Sequence, residues 1–358
     1  MKTKKHFSFL TLLLISILSL ALAACSDKES STEDSSATES ETTDTTTDTE
    51  ETATEYPIVI KHALGETVIE EKPERVATIA WSNHDVALAL GVVPVGFSAA
   101  NYGTKDNDTG MLPWTAEKLK ELGEENPNIY QDTDGLDFEA IADSNPDVIL
   151  AAYSGLTQEE YDTLSEIAPV IAYQETPWVT SWRDQIKFNS MAMGMEEEGQ
   201  QLIADTEKLV QDKASEYPEL KGKKAVFGMF NATDLSKFYL YTTGDPRGEF
   251  LEELGMTFPE SVENQITDPN SFYIELSAEN ADALSDVEIF VIYGDDSTLQ
   301  ALQADPILGN VPAIKNGSVV LIEDNTPLAA AGTPSSLSIE YTIDEYLKLI
   351  SEAAAKVK

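Results

Sequence analysis

Between residues 56 and 358, short apolar runs alternate with helix-length amphipathic stretches, in the same order on either side of one long helical segment. That alternation constrains the chain most, because strand–helix repeats bury both faces of a parallel sheet only by laying helices across it. Before the divide, 56–60 and 67–69 read as a hairpin around Leu64-Gly65, 75–80 as a strand, and 85–90 as a helix stopped by Gly91. Strand 92–96, helix 138–144, strand 147–152, helix 161–168 and strand 170–172 follow. After the divide come strand 224–230, helices 249–254 and 279–284, strand 288–293, helix 299–303 and strand 318–322. One helix–strand unit recurs with nearly equal spacing: Leu136-Asp137-Phe138-Glu139 before 147–150, and Leu276-Ser277-Ala278-Glu279 before 288–291. The two copies end in Tyr153 and Tyr293. The divide covers 181–193 and 196–217, split at Gly194; its second part, at 1.5 Å per residue, spans roughly 30 Å, about one domain width. The last helix presents Ile339, Ile343, Tyr346, Leu347 and Ile350 on one side. Two α/β lobes are expected, 56–180 and 218–358, joined across 181–217 by a rigid helix.

The first 55 residues do not belong to that fold. Lys2, Lys4 and Lys5 precede an uncharged, mostly apolar run, 7–24, that ends in Leu22-Ala23-Ala24 before Cys25. The run approaches the length of a bilayer span, but small residues before a cysteine, with a polar stretch at once behind it, favour cleavage. The segment resembles the lipobox of bacterial lipoproteins. The resemblance implies that 1–24 is a signal peptide and that Cys25 becomes the first mature residue, with diacylglycerol on its sulfur. Ser and Thr fill 16 of the 30 positions from 26 to 55, and Asp and Glu fill 11. Nothing there offsets the entropy of ordering, so 25–55 is read as an acidic, Ser/Thr-rich tether.

Charge and rare residues narrow the function. Acidic side chains outnumber basic ones 64 to 23, and 56–358 alone carries −34, so a nucleic-acid partner is excluded. One cysteine and three histidines (His6, His62, His84) rule out a disulfide scaffold or a zinc-finger site. No Gly-x-Ser-x-Gly elbow and no Walker or dinucleotide glycine pattern occurs. His84, after the first strand, is the one base a secreted hydrolase would have near a cleft, and no enzyme is expected. A surface adhesin has only the acidic tether in its favour.

A lipoprotein signal, a polar tether, two α/β lobes and a linking helix together resemble the substrate-binding proteins of ferric-siderophore and vitamin B12 ABC importers. The matching stretches are Pro73-Glu74-Arg75-Val76 with 87–91, then 137–150, 182–197, and Asp245-Pro246-Arg247-Gly248 with 250–255. The resemblance implies two Rossmann-like lobes of the class III periplasmic-binding-protein fold, a ligand cleft between them, and delivery of a ferric siderophore to an ABC permease dimer. It implies a monomer on the extracytoplasmic face of the cell membrane, with no cofactor and iron held by the siderophore's own oxygens. Haem or cobalamin is the alternative ligand.

Aromatic and cationic side chains are the candidate contacts. Trp178 and Trp182, four apart, face one way if the helix begins by Pro177. Trp81 ends the first strand, where open α/β sheets place ligands, and Tyr102 and Trp114 lie in or beside a Gly/Asn/Asp-rich loop. Tyr153, Phe230, Tyr239, Tyr273 and Tyr293 complete the aromatic set. Only three arginines occur: Arg75, which is expected to be structural, Arg183 and Arg247. Guanidinium suits oxygen-rich anions, so Arg183 and Arg247 point to a catecholate- or carboxylate-type siderophore. Importers of the resembled family dock through one exposed glutamate per lobe. That implies Glu139 and its repeat counterpart Glu279, with Glu275 as a competitor.

Overall fold

The computed structural model describes residues 54–104, 109–132, 134–268 and 271–358. The signal 1–24, Cys25 and nearly all of the tether lie outside the described residues.

A two-stranded antiparallel hairpin opens the fold, β1 (Ile58–His62) and β2 (Gly65–Ile69). The first lobe then interleaves β3 (Val76–Thr78), α1 (Asn83–Ala89), β4 (Gly96–Ser98), α2 (Pro113–Glu121), β5 (Ile129–Tyr130), α3 (Phe138–Asp143), β6 (Val148–Leu150), α4 (Gln158–Ser165) and β7 (Val170–Ile171). Its strands form an all-parallel sheet in the order β5-β4-β3-β6-β7. The expected strand 92–96 is displaced toward its C-terminal end. Val92 N–H instead closes α1 onto the Ala87 carbonyl, and pairing begins only at Gly96. Arg75 is structural: it donates from Nε and Nη2, each at 2.6 Å, to the carbonyls of Asn145 and Ser144 at the end of α3.

The sheets are connected by two helices, α5 (Trp182–Ala192) and α6 (Glu196–Ser215). The break between them falls at Gly194, where the sequence places it. Gly194 breaks the run in a left-handed conformation (φ 66°), where a Cβ would also overlap the Tyr56 hydroxyl.

The second lobe contains β8 (Ala225–Asn231), β9 (Asp234–Tyr241), α7 (Pro246–Glu253), α8 (Glu260–Glu263), β10 (Tyr273–Ser277), β11 (Ile289–Tyr293), α9 (Asp296–Ala304), α10 (Pro312–Asn316), β12 (Val319–Ile322), α11 (Pro327–Ala330) and α12 (Ser336–Ala354). Its sheet order is β10-β9-β8-β11-β12, with β8, β11 and β12 parallel and β9 antiparallel to both neighbours. The second lobe is therefore not a full copy of the first. A β8–β9 hairpin and β10 replace the helix-linked strands on that flank. The expected helix 279–284 is a 3-10 segment, Ala278–Leu284, with a non-helical kink at Asn280.

One apolar core runs through both sheets. It gathers Val148, Leu150 and Ile171 from the first, Phe227, Val291 and Val320 from the second, and Ile186 of α5 with Ile339, Ile343 and Leu347 of α12 between them. Each of these is at most 2% exposed. The lobes cannot separate without opening this shared core, which sets a stiff frame around the cleft.

Candidate functional site

The parallel strands of both sheets end toward one cleft, the place where open α/β sheets expose loop side chains. Two adjoining cavities of about 460 and 640 Å³ share Tyr102, Arg247 and Tyr293 as a common wall.

In the first cavity, Ala80 and Trp81 follow β3, Ser98 ends β4, Asp132 follows β5, and Tyr153-Ser154-Gly155 follow β6. Ala80 and Ser82 both adopt positive φ (61° and 57°), a strained turn that is held open beside the cavity. Trp178 lies in the same region with φ 63°, its N–H bonded to the Ser154 carbonyl at 3.1 Å. Its indole meets Tyr153 edge-on, with centroids 5.5 Å apart, and stays 41% exposed. A Cβ on Gly155 would overlap that indole, so glycine there lets the ring lie against the backbone. Among the described residues, Ser154 Oγ is buried without a hydrogen-bond partner, and Ser154 lines this cavity. The Ser98 hydroxyl donates to the Asp132 carboxylate and accepts from Ala80 N–H at 2.9 Å. Burial pushes the Asp132 carboxyl above its ordinary value, against the lowering effect of the Ser98 bond.

Arg247 stands at the start of α7, between the two cavities. The fully buried Asp245 caps that helix and grips the guanidinium, Oδ1 accepting from Nε and Oδ2 from Nη2, each at 2.8 Å. The guanidinium carbon lies 4.0 Å from the Tyr241 ring centroid. Burial holds the Tyr293 phenol up at about 12, opposed by Arg247, and raises Tyr153 and Tyr102 as well. All three are therefore neutral near pH 7 and able to donate. Tyr102 OH donates to Asp324 Oδ1 at 2.6 Å, a link between first-lobe and second-lobe loops. The second cavity adds Met229, Phe230, Lys237 and Tyr239 from the β8–β9 hairpin.

Eight candidates thus line the cleft: Trp81, Tyr102, Tyr153, Trp178, Phe230, Tyr239, Arg247 and Tyr293. Four do not. Trp114 is 4% exposed, and its Nε1 donates to the buried Asp85 at 3.0 Å. Trp182 is 2% exposed and donates to Glu253. It does not share a face with Trp178, because the helix starts only at Trp182 behind its Ser181 cap. Arg183 is engaged by Glu207 and Glu253, each at 2.6 Å, and stacks on Trp182, so it ties α5 to α6 and α7 rather than facing a ligand. Tyr273 lies outside both cavities, on edge strand β10 and edge-on to Tyr239. His84 is packed against Phe97 and bonded to Thr115, away from the cavity. Ser98, Asp132, Ser154 and Asp324 are not among the sequence candidates; their only sequence signal is a short polar residue at the end of an apolar strand or within four residues of it.

Glu139 and Glu279 are both exposed in the first turns of their helices. Glu275 is occupied by Lys237 at 2.6 Å and Tyr239 OH at 2.9 Å. Among the described residues no group of three or more His, Cys, Asp or Glu is placed to hold a metal ion, and no helix is long and apolar enough to cross a membrane.

Residues 76–326 match the family described as periplasmic binding protein. The crystal structure of PiaA from Streptococcus pneumoniae TIGR4 in complex with ferrichrome is 56% identical to this chain. It covers 84% of this chain and all of its own, with a TM-score of 0.81. Staphylococcus aureus SirA complexed with staphyloferrin B is 26% identical, over 84% of this chain and 98% of its own, with a TM-score of 0.62. A probable siderophore-binding lipoprotein of Bacillus subtilis, YfiY, is 26% identical over 96% of this chain and 97% of its own.

Proposed function

The chain belongs to the periplasmic binding protein family, and on that premise we propose that it captures a ferric siderophore outside the cell membrane and delivers it to an ABC permease. The observation that carries this reading is the cleft itself: two adjoining cavities walled by Trp81, Trp178, Tyr102 and Tyr293 around one arginine. Aromatic faces with a few fixed donors suit a bulky, polarisable complex. The iron is cargo, held by the siderophore's own oxygens.

The ligand class we propose is hydroxamate. The catecholate or carboxylate preference rested on two arginines, and Arg183 is turned away from the cleft into ion pairs. The 56%-identical PiaA was crystallised with ferrichrome, a neutral ferric trihydroxamate. Delivery is assigned to Glu139 and Glu279, exposed and in corresponding helix starts of the two lobes; Glu275 is already paired. Tethering through Cys25 accords with the lipoprotein names of relatives. Titration of tryptophan fluorescence with ferric trihydroxamate, tris-catecholate, citrate, haem and cobalamin tests the reading. Saturable quenching by the hydroxamate complex is expected; quenching by haem or cobalamin alone would overturn it.

A further inference from the structure

We infer that Asp245 sets the charge selectivity of the cleft: by holding Arg247 in a two-point ion pair it leaves the ligand a donor without net charge, so neutral ferric complexes are accepted and anionic ones rejected. The inference rests on the siderophore reading above and deepens it.

Asp245 is 0% exposed, and its Oδ1 takes both Arg247 Nε and the Arg247 backbone N–H at 2.8 Å while Oδ2 takes Nη2. Nη1 is turned to Thr333 Oγ1 at 3.4 Å, beside the cavity. The guanidinium therefore reaches the cleft as a hydrogen-bond donor whose charge is already matched. Lys237, the other cation that lines the cavities among the described residues, is matched by Glu275 at 2.6 Å. Three carboxylates line the cavities among the described residues: Asp132 and Asp324 have the hydroxyls of Ser98 and Tyr102 as donors, and Glu160 accepts from the backbone N–H and hydroxyl of Thr157. An incoming anion meets these carboxylates in a partly desolvated space, where screening is weak, and finds no unmatched cation to offset the loss of its own hydration. A neutral complex incurs neither cost and still receives N–H and O–H donors. Rejection is then built from charge rather than shape, as discrimination between similar ligands often is.

The test uses the full-length protein and two ferric trihydroxamates that differ only by one peripheral carboxylate, titrated by tryptophan fluorescence. Wild type is expected to bind the acidic complex at least about tenfold more weakly than the neutral one. In Asp245→Asn, which keeps a helix-capping oxygen but removes the charge, that ratio should shrink at least about threefold. Asp245→Ser, which also retains a cap, is the second variant should the first not fold, and the same shrinkage is expected. A merely structural role would weaken both complexes together and leave the ratio alone. Equal binding of both complexes by wild type, or a ratio unchanged in a folded variant, overturns the inference alone. Binding of neither complex by wild type overturns the siderophore reading and the inference with it.

Discussion

Arg183→Ala separates a buttress from a ligand contact. Arg183 donates to Glu253, whose side chain is 13% exposed, and to Glu207, 38% exposed, while its own side chain is 32% exposed. Removing one partner of a fully buried pair costs about 3–5 kcal/mol; partial exposure of the arginine brings the Glu253 arm to about 2 kcal/mol. The Glu207 arm adds about 0.5 kcal/mol at most, and the guanidinium over the Trp182 ring at 4.2 Å adds about 0.5 kcal/mol. The loss is about 2.5–3 kcal/mol. Over a folded body of about 300 residues the unfolding entropy is about 0.6 kcal/mol/K, so Tm should fall by about 4–5 °C. Affinity for the ferric complex should stay within about threefold, because the lost bonds lie outside the cleft. Calorimetry and fluorescence titration on the same preparation read both quantities. An affinity loss beyond about tenfold with Tm unchanged refutes the reasoning and returns Arg183 to the ligand.

Trp178→Ala should act on affinity instead, weakening the ferric complex at least about tenfold, while its cost to Tm is limited to the indole's packing on Tyr153 and Gly155, the ring being 41% exposed before binding. Glu249, pushed up to about 6 by burial and by Glu253, is charged at pH 7.5 at a cost to the fold. Glu249→Gln should therefore stabilise by about 1–2 kcal/mol at that pH, with the gain gone below pH 4.5, where the carboxyl is protonated folded or unfolded. Burial lowers both His62 and His84, so each takes up its proton more readily when unfolded. The stability they lend is complete above pH 6.5 and drains as pH falls below it; in Glu249→Gln, which removes the opposing gain from Glu249 protonation, a denaturation midpoint flat from pH 7 to 5 contradicts this. Glu139→Ala with Glu279→Ala should leave ligand affinity and Tm intact but slow uptake into cells, and wild-type uptake by the double variant removes the pair from docking.

The fold was legible because burial imposes period and punctuation. Val148, Ile149 and Leu150 are all 0% exposed, and a run that apolar before a tyrosine admits little but an interior strand. The β9–β10 flank was not read, although Asp234–Tyr241 alternates in burial, because the repeat in the first lobe suggested helix-linked strands throughout. Tryptophan was the weaker guide to the site. Trp114 and Trp182 have the same composition signal as Trp81 and Trp178, and only tertiary contacts, a buried Asp85 and a half-hidden Glu253, decide which indoles face inward. Arginine misled for the same reason: no pattern in Ser181-Trp182-Arg183 announces Glu207 and Glu253, which lie 24 and 70 residues away. Asp245, two residues before Arg247, was open to view in the sequence, but its grip on the guanidinium depends on the cap of α7.

The most direct test of the central claim is anomalous scattering from iron in crystals grown with a ferric trihydroxamate. One iron site is expected in the cleft, between Trp178 and Arg247, with six ligand oxygens around the metal and no protein atom among them. Iron coordinated by a protein side chain, or located away from the two cavities, would contradict it.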